Sequence, residues 1–453
     1  MSHVDMPGMS EPPVTTSARH DPFAALRFRD FRLLVLGSFL AVVAEQMLGV
    51  TIGFELYERT HSALALGLVG LVEIVPVLLL ALPAGHVADR LERKWVVVAA
   101  MSVVTACMFG MAGLSLTQGP LPAVYALLFG IGMARAFQGP AFSALSSQVV
   151  PSTHYASAAT WSSGAWQTSS IIGPALGGFL LAAWGGAAWV YACAGGLLLL
   201  VAIMFCLMRP RSVERISEPI SLASMLAGVR FIWKTPVILT SITLDMFAVL
   251  LGGATALLPI FAVDILHVGP AGLGWLRAAP AVGAVTAAMI IALRPPFKYA
   301  GRTLLTVVAG FGAATVVFGL SRDFFLSMAM LGLLGGLDNV SVVIRGTLLL
   351  TMTPDTLRGR VNAVHSVFVG ISNELGAFES GVAAALITTV GAVVAGGIGT
   401  MLVVGLVAFL APDIRRLKSM GVGGETVRRT AEIVDGQEIR PTKSKEIEGS
   451  QRL

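Results

Sequence analysis

The sequence predicts an all-α membrane protein with twelve transmembrane helices in two pseudo-symmetric six-helix bundles. Three observations carry this. Apolar types make up 55% of the 453 residues and charged types 13%, against roughly 25% charged in soluble domains. Mean hydropathy is +0.80. Twelve windows reach the roughly 20 mostly apolar residues that cross a bilayer, and the last six repeat features of the first six.

In chain order the predicted spans are 32–56, 64–84, 95–117, 122–148, 157–184, 187–208, 236–262, 271–293, 303–320, 323–350, 360–389 and 390–411. They divide the chain into a tail (1–31), a first bundle (32–208), a linker (209–235), a second bundle (236–411) and a second tail (412–453). The linker contains SLASMLAGVRFIWK, whose apolar residues alternate with Arg230 and Lys234, the pattern of an amphipathic helix on a membrane surface. The first 22 residues are polar and hold no apolar core of a signal peptide.

Basic residues set the orientation. Arg27, Arg29, Arg32, Arg90, Arg93, Lys94, Arg209, Arg294, Lys298, Arg302, Arg358, Arg360 and Arg415 fall on one side, while the other has Arg59 and Arg322. The positive-inside rule puts both termini in the cytoplasm. The net charge of +5 reflects this bias rather than nucleic-acid binding. Cys107, Cys193 and Cys206 all lie in apolar runs, with no metal-ligand spacing.

An internal repeat supports the two-bundle reading. Shifting the chain by 203 residues lays 150–178 over 353–381, so that Pro151 meets Pro354, Gly173 meets Gly376 and Gly178 meets Gly381. Gly132 meets Gly335, and at a similar offset Leu66-Gly67 meets Leu273-Gly274. Such repeats build transporters that hold cargo near the midplane between their halves.

Between the second and third spans stands GHVADRLERK (85–94), with five charges and a His between two apolar runs. Gly85, Asp89, Arg90, Arg93 and Lys94 resemble the signature of the major facilitator superfamily, with Glu92 where that family often has Gly. Span four carries ARAFQGPAF, similar to the family's Arg-x-x-Gln-Gly at Arg135, Gln138 and Gly139. Span five carries GPALGG, similar to the antiporter motif at Gly173, Pro174, Gly177 and Gly178, although Ser169 replaces the preceding Gly. FRDFRLL, ELYERT and LRGRVNAV resemble the branch of enterobactin exporters and macrolide efflux proteins. The resemblance covers about residues 23–411. It implies that the 85–94 turn is a latch, closing the inner face through Asp89 in the outward-open state. In the second half, RPPFKYAGR (294–302) keeps the bases but has no acid.

Charges at mid-membrane cost about 2.5–3.5 kcal/mol each on insertion scales, so those present are candidate functional groups. Glu45, Glu73, Arg135, Asp245, Asp338 and Glu374 fall near span centres, with Arg345 and Glu379 further along. A carboxylate out of water can exchange its charge for a proton. Glu45 is therefore the first candidate for reversible protonation, with Arg135 competing for it and Glu374 as a second acid. Gln46, Glu73, Asp245, Asp338 and Asn373 are candidate cavity residues, and Trp161, Trp166 and Gln167 could receive a planar or cationic cargo. The glycines and Pro174 of GPALGG suit close helix packing.

No nucleotide-binding loop and no His-Glu-x-x-His or Gly-x-Ser-x-Gly motif occurs, which argues against an ATP-driven pump and a membrane hydrolase. No cofactor or metal is expected. The residues and the resemblance together predict a monomeric, proton-coupled exporter in the inner membrane, taking amphipathic small molecules such as drugs, macrolides or a siderophore. Two alternatives stand beside it: a symporter or facilitator importing a metabolite, and a non-transporting sensor or lipid-handling protein.

Overall fold

The computed structural model describes residues 23–210, 222–295, 297–354 and 357–416. The two predicted tails lie largely outside the described residues, as does the first part of the linker. Among the described residues the chain is helical and contains no strand. After a 3-10 turn at Ala24–Arg27 come α1 (Arg29–Thr60), α2 (Ala63–Arg90), α3 (Arg93–Leu116), α4 (Leu121–Ser146), α5 (Tyr155–Trp184) and α6 (Ala187–Cys206). The amphipathic α7 (Leu222–Lys234) follows, burying Phe231 and Ile232 while Arg230 and Lys234 stay exposed. Then come α8 (Pro236–Leu251), the one-turn α9 (Leu258–Ile260), α10 (Gly269–Ala292), α11 (Ala300–Leu320), α12 (Phe324–Met352), α13 (Arg358–Leu386), α14 (Thr389–Leu410) and the short α15 (Pro412–Arg416).

Among the described residues, ten stretches are long and apolar enough to cross a membrane. Helices α5 and α13 have the length too, at 30 and 29 residues, but carry polar faces. With these two the arrangement is consistent with the twelve-helix fold that the sequence predicts. Local chemistry sets the ends of the helices. Gly185, at φ 65°, closes α5 in the left-handed conformation that glycine adopts without strain. The side chain of Asp323 accepts from the Leu326 amide at 2.8 Å to start α12, and Thr388 accepts from Gly391 at 2.9 Å to start α14.

The seventh span differs from the continuous 236–262 helix expected. It stops at Leu251, and Gly252-Gly253 lead into a 3-10 turn (Ala254–Leu257), α9 and a π-turn (Phe261–Ile265). Two adjacent glycines weaken a helix. Gly253 also lies so close to α13 that a Cβ there would sit 2.6 Å from the Gly376 carbonyl. The break therefore trades helical hydrogen bonds for close contact with α13.

The repeat found in the sequence reappears as repeated contacts. A Cβ on Gly132 would meet the Glu73 carbonyl, and one on its mate Gly335 the Pro280 carbonyl. Gly173 packs on Val43 and Gln46 of α1, and Gly376 on Val249 and Leu250 of α8. Two close glycine–glycine approaches join the bundles. Gly67 of α2 meets Gly381 of α13, and Gly274 of α10 meets Gly178 of α5. Both lie toward the ends of the helices opposite Arg90, Arg93 and Lys94. Absence of Cβ atoms lets the backbones approach there, and the bundles are closed at this far end. Toward the basic end Ser162, Ser163 and Trp166 of α5 and Asn362, Ser366 and Val367 of α13 are exposed.

Candidate functional site

Five charged side chains from both bundles meet near mid-depth. Glu45 (α1), Glu73 (α2) and Arg135 (α4) come from the first, and Arg277 (α10) and Glu374 (α13) from the second. Together with Gln46 and Asn373 they line one cavity of about 340 Å³. Glycines make the assembly possible. A Cβ on Gly70 would lie 2.7 Å from the Glu374 carbonyl, and one on Gly49 would lie 2.5 Å from Nη1 of Arg277. The first bundle thus offers a glycine at each of two points where the second brings a charged residue against it.

Within the cavity the pairing is uneven. Arg135 Nη1 donates to Glu73 Oε2, so in this conformation Glu73, not Glu45, holds the guanidinium. Among the described residues Glu45 forms no ion pair, and Arg135 and Glu73 are its charged neighbours. Arg277 also lacks a direct ion pair there, and its charge faces Glu73 and Glu374. Arg277 was absent from the sequence-based candidates. Its signal was present: one Arg in the apolar stretch GLGWLRAAP, about two turns into a predicted span.

A second cavity, of about 570 Å³, runs from Glu45 along α1, α4 and α5 to Ser147 and Tyr155 at the basic end. Trp166 and Gln138 line it, and Gln138 Oε1 has no hydrogen-bond partner among the described residues. Glu45 belongs to both cavities. It stands between a vestibule open at one end and a charged chamber sealed at the other. Beyond the chamber, the Tyr57 hydroxyl donates to Asp264 of the π-turn, tying α1 to the second bundle.

The remaining candidates are placed elsewhere. Asp245 pairs with Arg345 inside the second bundle, and the two residues are 7% and 2% exposed. That pair lines neither cavity, because α8 and α12 close over it. Asp338 is half-buried on α12 and Gln167 half-buried on α5, and neither lines the cavities. Trp161 stacks obliquely on Phe23, with centroids 5.7 Å apart. In the 85–94 turn, Lys94 Nζ donates to the carbonyls of Cys206 and Met208 at 2.7 and 2.8 Å. Arg93 reaches the Ala144 carbonyl at 3.5 Å. All three bonds stay within the first bundle and cap the ends of α6 and α4. Gly85 has open space where its Cβ would be, and the Asp89 side chain lies outside the described residues.

Two six-helix bundles that meet around a charged mid-depth cavity define a major facilitator transporter, not an enzyme. The chain belongs to the family described as transmembrane secretion effectors, whose profile matches residues 20–425. It is 29% identical over 399 residues to the enterobactin exporter EntS of Citrobacter koseri, covering 86% of this chain and 93% of that protein. It is 28% identical over 394 residues to the EntS of Shigella flexneri, with the same coverages. Among solved structures it resembles a bacterial homolog of the human lysosomal transporter Spinster in an inward-facing, unoccupied conformation. The TM-score is 0.65, with 16% identity over 90% of this chain and 94% of that one. The POT family transporter PepTSo has a TM-score of 0.66, with 14% identity over 86% and 98% of the two chains. At such identities these structures speak for the fold alone.

Proposed function

We propose that the protein is a proton-coupled exporter of amphipathic small molecules, working as a monomer by alternating access in the plasma membrane. The basic end faces the cytoplasm, with both termini on that side, in keeping with the bias of Arg and Lys. The observation that carries the reading is the place of Glu45, which lines both the open vestibule and the sealed chamber. Cargo enters beside Trp166 and Gln138. Trp166 offers an exposed aromatic face, and Gln138 an unmet acceptor. A siderophore is the first cargo to test, because relatives named as enterobactin exporters align over most of the chain.

Charge balance gives the coupling. Arg135 and Arg277 against Glu45, Glu73 and Glu374 leave one net negative charge in the chamber. Sealing a net charge away from water is costly, and one proton removes it. Glu45, which has no ion pair and sees both cavities, takes that proton; Glu73 keeps Arg135 in place, and Glu374 carries the charge change to the second bundle. Cargo bound against Glu45 displaces the proton toward the cytoplasm, and the next proton resets the carrier.

The test is uptake of radiolabelled enterobactin into inverted vesicles under an imposed proton gradient. Gradient-driven uptake is expected from the unaltered protein and loss of it from Glu45→Gln, with normal expression. Full gradient-driven activity in that variant removes Glu45 from the mechanism. Uptake indifferent to the gradient overturns proton coupling, and accumulation in the opposite sense overturns export.

A further inference from the structure

A further cavity lies outside the transport pathway. It is a groove of about 1650 Å³ along α10, α11 and α12. Thr286 on its floor is nine residues from Arg277, and at about 100° per residue the two point to opposite sides of α10. The groove therefore faces away from the charged chamber. Its walls are apolar, and Val282, Ile290 and Leu333 are exposed in it, as suits a surface bathed by lipid chains. From Trp275 to Arg294 it runs about 28 Å at the helical rise, close to the thickness of a bilayer's hydrocarbon core, ~30 Å.

The chemistry changes at the basic end. Arg294 and Lys298 line the mouth there. Both are exposed, and neither forms an ion pair among the described residues. The corresponding turn of the first bundle uses its bases differently. There Lys94 and Arg93 are bound to the carbonyl ends of α6 and α4, and Asp89 and Glu92 supply acid. The turn at 294–302 has no acid and leaves two cations at headgroup depth beside an apolar slot.

We infer that this groove holds an anionic phospholipid from the leaflet at the basic end. Its phosphate rests on Arg294 and Lys298, and its acyl chains lie along α10 and α12. The occupant is a lipid rather than cargo because the groove does not open into the chamber. It is anionic because two bases meet it with no acid between them. A zwitterionic headgroup would carry its own cation into the same place. At roughly 1 kcal/mol per basic residue near a membrane surface, two bases give about a thirtyfold preference over a zwitterionic lipid.

The test is native mass spectrometry of the full chain, purified in detergent and titrated with phosphatidylglycerol or phosphatidylcholine. The unaltered protein is expected to keep one phosphatidylglycerol with about thirtyfold preference. Arg294→Gln with Lys298→Gln abolishes the preference, leaving weak binding of both lipids. Thr286→Trp, at an exposed position on the groove floor, fills the slot and removes the adduct. Equal retention of the two lipids, or a preference unchanged in the double variant, overturns the inference. So does full occupancy in Thr286→Trp. Thermal melting of each variant identifies any loss that comes from misfolding, and the double variant keeps the test decisive if Thr286→Trp does not fold.

Discussion

Among the described residues each bundle has an ion pair that joins two of its helices, and the two pairs are treated in opposite ways. Glu73–Arg135 in the first bundle lines the chamber, with side chains 12% and 31% exposed. Asp245–Arg345 in the second is closed in by α8 and α12, at 9% and 3%. Pseudo-symmetry repeats the backbone contacts without repeating the electrostatics. One pair sits where water, protons and cargo come and go, and the other holds two helices together. A charge at mid-membrane is therefore not evidence of a transport role until its access to a cavity is known.

Removing one partner of each pair is the strongest way to break this contrast. A charge stranded in a sealed interior costs about 3–5 kcal/mol, so Asp245→Asn should collapse the yield of folded protein and lower its melting temperature sharply. Replacing both Asp245 and Arg345 by Leu should recover much of the loss, because no lone charge remains. Glu73→Gln should behave differently. Arg135 keeps access to the chamber and to the nearby Glu45, so folding survives while gradient-driven transport falls tenfold or more, roughly 1.4 kcal/mol at the transport barrier. Size-exclusion profiles and vesicle uptake separate the two outcomes. A well-folded, inactive Asp245→Asn would reverse the assignment of the two pairs.

Where the bundles do act alike is at the far seam, and small-to-large changes there sharpen the comparison. A Cβ on Gly178 would lie 2.7 Å from Gly274 Cα, and one on Gly381 would lie 2.6 Å from Gly67 Cα. Overpacking of this kind costs about 1–3 kcal/mol, and here it falls on the closed state alone. Gly178→Val and Gly381→Val should each shift the carrier toward an open far end. A cysteine placed near the chamber reports this as faster labelling from outside. Equal effects from the two variants would mean that both halves of the seam bear closure equally. An effect from only one would mean that the pseudo-symmetry of contact is not one of energy.

The sequence made the helices and the seam legible, since hydropathy marks spans and the glycine repeat marks close approach. Gly67, Gly178, Gly274 and Gly381 were all visible as repeat positions before their contacts were known. Depth was also legible for Glu45, Glu73, Arg135 and Glu374. Partnership was not. Arg345 pairs with Asp245 a hundred residues earlier, and no single sequence says which face of α12 turns toward α8. The break at Gly252-Gly253 was hidden for a related reason. Hydropathy measures side chains, and the flanking residues are mostly apolar, so a change of backbone conformation left no trace in it. Arg277 was passed over although its depth could be read, and only the opposing Gly49 explains how the bilayer interior accommodates it.

The smallest expected effect tests how the two basic turns differ. Lys94 caps α6 with two hydrogen bonds to carbonyls that the helix itself leaves unpaired. Its cation also opposes the negative end of the helix dipole. Lys94→Met should lower stability by about 1 kcal/mol, seen as a few degrees in a melting curve. In lipid-free detergent Lys298→Met should leave the curve unchanged, because Lys298 is exposed and forms no ion pair among the described residues. Adding phosphatidylglycerol should then separate the second pair of curves, stabilising the unaltered protein more than Lys298→Met. If the two lysines cost the same in detergent, the turns have the same structural role, and the asymmetry between the bundles is confined to their ion pairs.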